Sequence, residues 1–500
     1  MSVRTGFINT LILGLCGAGV LGAAQSGPTL RNAATVPIPA GAEIVDYDPA
    51  HRRLHTIGPG GRMELGFNDS GRPALLRTHV FSETQAWEPT SIAIDPAGRG
   101  FGVVTWIPDP PDSQPGMAQV FDLRTGEPVW QFTIGFHPDC VVFTPDGRFL
   151  LAANECEPGE IDRVGAITVA DLSEIKQPGD FMGFNEAVTY ELVPKNLGKG
   201  VDLNTLRIIP ELEATPGVNI EPEYIAPTNT GAWVSLQENN GLAYFDLRRR
   251  LWTRVTPLEL LSFPFDTSET DGFSLDSGEG FAMLPMPDTI AIYEAGGRSY
   301  LVTANEGDKS EDHSMRLGKA IEAGLVDPAA VQRLRDRLGD LETHGVARLV
   351  ISTIDGDLDG DGDLDILCPL GARSVSIIDI QTGSVLWNSG PQMELITGML
   401  DPERYNAGDS RSDRAGPEPE GLAIGRLGER TLLAVGLERA DTVLLYDISN
   451  PISPTYLDAA FLGPDCSSPE GLVFFEREGR LYLGVAGEIG GCLTLFEVLP

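Results

Sequence analysis

Histidine and cysteine are scarce in this chain, six of each among 500 residues, and 36 basic residues face 72 acids. Little imidazole and thiolate chemistry is therefore on offer: no serine–histidine–acid arrangement and no zinc-ligand spacing appears. His137 and His313 alone stand near the acidic segments described below, and both read as structural or incidental. No glycine-rich phosphate loop is present. The formal charge of −36 excludes nucleic acid as a partner, because a phosphate backbone is repelled by such a surface, and makes metal cations the natural ones. Past the N-terminus no apolar run approaches the roughly 18 residues that cross a bilayer, so no membrane span is expected.

What is abundant is turn chemistry. Glycine (58) and proline (37) accompany a 42% hydrophobic composition, which suits many short strands joined by tight turns. The first residues read Met1-Ser-Val-Arg4, then an apolar run from Phe7 to Leu21, then Gly22-Ala23-Ala24-Gln25, the three parts of a secretory signal. Residues 1–24 are expected to be removed and 25–500 to act as an exported protein, periplasmic, secreted or on the cell surface. Leu15 stands before Cys16 where a lipoprotein signal needs a small residue, which argues against lipid attachment.

A four-part unit recurs at irregular spacing. It opens with proline and an acid before an apolar strand: Pro138-Asp139, Pro222-Glu223, Pro287-Asp288, Pro419-Glu420 and Pro469-Glu470, with Pro89-Thr90 a degenerate copy. A second strand follows and ends in glutamate, at Glu155, Glu238, Glu306, Glu438 and Glu488. Third strands end in an acid as well, as in Asp122, Asp171, Asp246 and Asp447, which read as turn formers. Counting first strands from Ile44 gives seven units, so the expected fold is all-β, a seven-bladed β-propeller. The last unit lacks a fourth strand, and Ala34–Pro39 is a spare apolar segment placed to complete it and protect the edge.

The fifth unit is interrupted between Glu306 and Val375, an insertion over 307–373. It carries an expected helical pair, 314–323 and 328–341, with Asp327 as N-cap and Pro328 at the first helical position. Beyond the helices lies Asp355-Gly-Asp357-Leu-Asp359-Gly-Asp361-Gly-Asp363-Leu-Asp365. Alternating carboxylates on a glycine-turned chain supply the oxygens that calcium takes, and the better register is Asp357, Asp359, Asp361 and Asp365. The twelfth position is Ile366 or Cys368, so an EF-hand is disfavoured.

In a hairpin the start of the first strand lies beside the end of the second. The acids Asp139, Glu155, Glu223, Glu238, Asp288, Glu306, Glu420, Glu438, Glu470 and Glu488 are thus expected at one mouth of the channel, with Asp308 two residues beyond Glu306. Such crowding marks either a site for a second metal or for a substrate, or a structural girdle of arginines and hydrogen bonds. Arg373, Arg411 and Arg439 lie beside these segments, as anion-binding groups or as ion-pair partners of the ring. Among the cysteines, Cys140–Cys156 and Cys466–Cys492 are the expected disulfides with Cys368 free; Cys156 as a metal thiolate is the competing reading.

The segments HPDCVVFTPDGRFLLAANECEPGE, EPEYIAPTNTGAWVSLQENNGLAYFDL, PDTIAIYEAGGRSYLVTANEGD, DGDLDGDGDLDILCPLGARSVSII and RSDRAGPEPEGLAIG together resemble the choice-of-anchor I family, which includes mesenchyme-specific cell-surface glycoproteins. The resemblance runs from about residue 40 to the end. It implies a secreted or surface propeller; some relatives carry the label alkaline phosphatase, and others resemble adhesive or biomineral matrix proteins. Two departures stand out: Cys156 replaces a glycine of the family's ANEGEP-like motif while Cys140 appears in the facing strand, and the chain stops at Val498-Leu499-Pro500 without an anchoring tail. The expected function is a calcium-binding extracytoplasmic binding or matrix module. The alternative is a metal-dependent phosphoesterase acting on phosphate esters at the acidic mouth.

Overall fold

The computed structural model describes residues 27–39, 41–80, 87–156, 163–209, 218, 220–308, 313–463 and 465–500. The expected signal segment, 1–24, lies outside the described residues. Seven four-stranded antiparallel sheets make the fold, and their innermost strands touch neighbour to neighbour until the ring closes. Those strands are Val45–Asp48, Trp87–Ile94, Pro138–Phe143, Pro222–Pro227, Pro287–Ala295, Pro419–Leu427 and Pro469–Arg477, the openings of blades 1 to 7. The chain is a seven-bladed β-propeller.

Burial follows from the stacking of blades. Second strands have both faces covered, so Phe149–Asn154 and Gly231–Leu236 are buried throughout and read as continuous apolar runs rather than alternating ones. Outer strands such as Pro73–His79 are mostly half-buried or exposed. The core therefore lies between blades: Leu151 and Ile167 of blade 3 pack with Val234, Phe245 and Trp252 of blade 4.

Closure uses Thr29–Pro37, which pairs antiparallel with Cys492–Leu499 from Thr29 opposite Leu499 to Pro37 opposite Cys492. The closing strand begins earlier than the apolar segment suggests, because the ladder needs backbone groups rather than apolar side chains. The disulfide Cys466–Cys492 joins the start of blade 7 to its third strand.

Blade 5 breaks after Arg298–Asn305 and resumes at Ser374–Asp379. Between them, Asp327 accepts a hydrogen bond from the Ala330 amide at 2.7 Å and caps helix Pro328–Leu338. The first expected helix is shorter than the sequence suggests. Ser314–Arg316 is a strand pairing with Val350–Ser352, so the helix spans only Leu317–Glu322. Leu317, Val331, Leu334, Leu349 and Ile351 pack with Phe265 and Phe281 from the connection between blades 4 and 5, giving the insertion its own small core. A further excursion, unmarked in the sequence reading, follows blade 5: helix Gln392–Leu400 and a turn-rich segment leading to Pro419.

Candidate carboxylate site at the channel mouth

Each of the five proline–acid openings carries the same irregularity. The register with the second strand shifts between Pro138 and Val141, Pro222 and Ile225, Pro287 and Ile290, Pro419 and Leu422, and Pro469 and Leu472. A bulge unpairs the residue after proline and re-aims its side chain, and that residue is the acid. In four of these blades the residue before proline has φ between 42° and 54° (His137, Met286, Glu418, Ser468), turning the chain sharply into the strand. Its carbonyl then receives the amide of the second-strand glutamate: Glu155 to His137 at 2.9 Å, Glu438 to Glu418 at 2.9 Å, Glu488 to Ser468 at 3.0 Å. Both acids of a blade are thereby fixed at one end of it. Adjacent inner strands meet closely there, since a Cβ on Gly421 would lie 1.8 Å from the Glu470 carbonyl oxygen.

Two sets of three acids come within ligand reach. One oxygen each from Asp288, Glu306 and Glu420 lie within 4.8 Å of one another, and so do oxygens of Glu306, Glu418 and Glu438. Among the described residues, the buried oxygens Glu223 Oε2, Glu420 Oε2 and Glu470 Oε2 have no hydrogen-bond partner. Glu306 Oε2 accepts from Gln237 Nε2 at 3.1 Å.

The acids perturb one another as members of a ring. Burial, followed by the charges of Glu238 and Asp288, holds Glu223 well above the usual carboxylate range. Burial and then Asp288, Glu418 and Glu438 do the same to Glu306, and burial and then Glu306 and Glu470 to Glu420. Glu470 is raised by burial and then by Glu43 and Glu488. Asp288 is pushed up to about 8 by burial and Asp139, Glu438 to about 8 by burial against the opposing pull of Arg439, and Asp139 to about 6 by burial. Without a cation, this mouth holds protons that isolated carboxylates would have released. The Tyr224 phenol is raised by burial and by the charges of Asp288, Asp139, Glu470 and Glu420, acids of blades 3 and 5 to 7.

Sequence reasoning missed Glu418, Glu43, Gln237 and Tyr224. Glu418 precedes the blade 6 repeat motif in Pro417-Glu418-Pro419-Glu420, a doubled Pro–Glu that is the one visible signal. Glu43 is raised to about 7 by burial and then by Glu488 and Glu88, giving blade 1 a mouth acid despite its lack of the proline–acid motif. Of the expected ring, Glu488 and Asp308 are exposed, Glu155 is half-buried and Glu238 is buried.

The arginines divide. Arg411 Nε and Arg439 Nε each donate at 2.7 Å to Glu418, one to either oxygen, and Arg439 also pairs with Glu438 at 2.6 Å. With Glu306, Asp308 and Arg414 they line a cleft of about 350 Å³. Arg373 is not an anion-binding group. It is 1% exposed, paired with Glu394 at 2.7 Å and donating to the carbonyls of Asp266, Ser412 and Arg414, because the excursion after blade 5 folds over it.

In the insertion loop, oxygens of Asp357, Asp359 and Asp361 lie within 4.8 Å of one another and are exposed. Asp357 accepts from the amides of Gly360 at 2.7 Å and Gly362 at 3.0 Å, and Asp365 Oδ2 from Leu358 at 2.8 Å. Asp355 is occupied by Arg207 at 2.7 Å.

The expected Cys140–Cys156 disulfide is overturned: both are buried free thiols, as is Cys368. The register sets Pro138 opposite Asn154, so Cys156 falls beside Phe136, whose carbonyl its Sγ contacts at 3.6 Å. Cys140 sits inside the bulge and packs into the apolar cluster between blades 3 and 4.

A profile of the choice-of-anchor I domain matches residues 43–451. The chain belongs to the choice-of-anchor I family. Gigasin-3a of Magallana gigas is 31% identical over 129 residues, covering 24% of this chain and 45% of that protein. The mesenchyme-specific cell surface glycoprotein of Strongylocentrotus purpuratus is 23% identical over 273 residues, covering 47% and 34%. The matched part thus spans less than half the length of each relative. Among solved structures, this choice-of-anchor I domain is similar to Kuenenia stuttgartiensis hydrazine synthase, at 12% identity, 95% coverage of this chain, 99% of that one, and a TM-score of 0.48. No described helix is long and apolar enough to cross a membrane.

Proposed function

We propose that this protein is an extracellular, cation-binding propeller that serves as a binding or matrix module, with calcium in the Asp357–Asp359–Asp361 loop and a second cation at the channel mouth. The observation that carries the reading is the set of buried, unpartnered carboxylate oxygens on Glu223, Glu420 and Glu470. A buried polar oxygen without a partner costs about 1–3 kcal/mol, more when charged. A hard cation satisfies several such oxygens at once, and an oxygen-only ligand set selects calcium or its like over softer metals. Two further points support an extracellular setting: the N-terminal export pattern, and the cell-surface name of the sea-urchin relative.

A second reading, a metal-dependent phosphoesterase, is favoured by Arg411, Arg414 and Arg439 lining one cleft together with Glu306 and Glu418. A cation held by Glu306, Glu418 and Glu438 would supply Lewis-acid polarisation of a phosphate ester and acidify a water. Arg411 and Arg439 would orient the anion and stabilise developing negative charge.

Elemental analysis combined with hydrolysis assays on a phosphomonoester and a phosphodiester, before and after chelation and calcium or iron return, separates the readings. Metal retained without turnover is expected. Turnover that is lost on chelation and in Glu306→Gln or Glu420→Gln, with the fold intact, overturns the binding-module reading. Metal confined to the aspartate loop removes the mouth from both.

A further inference from the structure

We infer that the mouth binds two divalent cations side by side, with the Glu306 carboxylate bridging them, rather than a single ion. The inference rests on the cation-binding reading of the mouth and specifies how that site is built.

Glu306 belongs to both acid triads, Asp288–Glu306–Glu420 and Glu306–Glu418–Glu438. With calcium–oxygen distances of about 2.3–2.6 Å, ligand oxygens around one ion lie within about 5 Å of each other. Each triad meets that condition, its oxygens lying within 4.8 Å. Both triads straddle blades 5 and 6 but use different positions: Asp288 and Glu420 stand in the first strands of the two blades, whereas Glu418 precedes the first strand of blade 6 and Glu438 follows its second. Glu306, at the end of the second strand of blade 5, is their one common member.

The two halves differ in character. Among the described residues Asp288 and Glu420 make no ion pair with an arginine; they act electrostatically on Glu223 or its neighbours in the ring, Glu223 is 6% exposed with Oε2 unpartnered, and Glu420 Oε2 is buried and unpartnered as well. Glu418 and Glu438 are already paired with Arg411 and Arg439, and Glu418 with both arginines lines the cleft.

Gln237 holds Glu306 through Oε2 at 3.1 Å, which fixes the plane of the carboxylate while its remaining lone pairs stay available.

The test uses the mature chain with the loop removed from the count by Asp357→Asn, Asp359→Asn and Asp361→Asn together. The protein is stripped by chelation and titrated with Mn²⁺, an oxygen-seeking divalent probe whose paired ions give a spin-coupled electron paramagnetic resonance spectrum. Two Mn²⁺ per chain with a coupled spectrum at saturation is the expected result. Glu306→Gln abolishes the coupling. Glu418→Gln, at a residue outside the repeat motif, leaves one equivalent with an uncoupled six-line signal. One equivalent in the loop-less parent, or two without coupling, overturns the bridged pair and leaves the cation-binding reading standing; no binding overturns both. Circular dichroism verifies that each variant is folded, and the Glu418→Gln result decides the matter should Glu306→Gln fail to fold.

Discussion

Gln237, just past the second strand of blade 4, donates from Nε2 to Glu306 Oε2 of blade 5 at 3.1 Å. This hydrogen bond crosses a blade boundary at the mouth and orients the carboxylate that both acid triads share. Partners that orient a metal ligand are worth about 10–100-fold in affinity. Gln237→Leu should therefore weaken mouth cation binding by about that factor while leaving the aspartate-loop equivalent unchanged. Isothermal titration calorimetry of the chelated protein reads both classes; an unchanged mouth affinity would show that Glu306 is oriented by its own strand.

The mouth also dictates a pH dependence. Asp288 and Glu438 are held up to about 8, Glu43 to about 7 and Asp139 to about 6 in the cation-free fold, from ordinary values of 3.8 to 4.5. A carboxyl whose folded value is raised favours the fold while protonated. Its contribution is complete below about pH 4 and is lost as pH climbs through the folded value. Chelated protein should accordingly lose thermal stability between about pH 4 and pH 8. Saturating calcium, which binds the ionised form, should remove most of that slope. Melting temperatures measured across pH with and without chelator check the sign; a chelated protein that gains stability over this window contradicts the buried acidic ring.

Thiol chemistry distinguishes the observed pairing from the one the hairpin suggests. Cys140, Cys156 and Cys368 are buried free thiols, and burial first of all pushes each up to about 12. Native mature protein should be nearly inert to a thiol reagent, and the denatured chain should titrate three thiols. Cys466→Ser, which opens a link between residues 26 apart in sequence, should cost about 2–4 kcal/mol in denaturant unfolding. Recovery of a Cys140–Cys156 peptide under non-reducing digestion would contradict the register of blade 3.

Arg373 offers a control that lies away from ligand chemistry. Its guanidinium offsets the 1% exposed Glu394 and caps three carbonyls. Removing one partner of a buried pair typically costs about 3–5 kcal/mol, so Arg373→Leu should be strongly destabilising with the mouth cation stoichiometry retained in the folded fraction. Chemical denaturation monitored by tryptophan fluorescence measures the loss. A near-neutral effect would show that the hydrogen bonds from the Tyr405 hydroxyl to Asp266 at 3.0 Å and to Glu394 at 3.3 Å hold this cluster without the guanidinium.

The blade count, the first-strand positions and the paired acids were legible because each rests on a local rule: proline ends a ladder, alternation and apolar runs mark strands, and a hairpin brings its two ends together. The N-cap at Asp327 is local for the same reason. Cys140 and Cys156 were misjudged because facing positions depend on register, and the bulge after Pro138 lies in backbone dihedrals that residue identity does not display. Glu418 was missed because it stands one step before the repeated motif, and Gln237 because it is an uncharged residue between its strand and the motif's closing Glu238.

The sequence by itself determined a seven-fold ring, its strand-by-strand closure and the convergence of acids on one mouth, since all of these follow from periodicity and chain direction. Only the tertiary structure decided which acids share a site. The excursion after blade 5 brings Arg411 to Glu418 and buries Arg373, and the contact between blades 5 and 6 brings Glu306 to both Glu420 and Glu438. Those are contacts between residues distant in the chain, set by how whole sheets pack, and no local pattern encodes them.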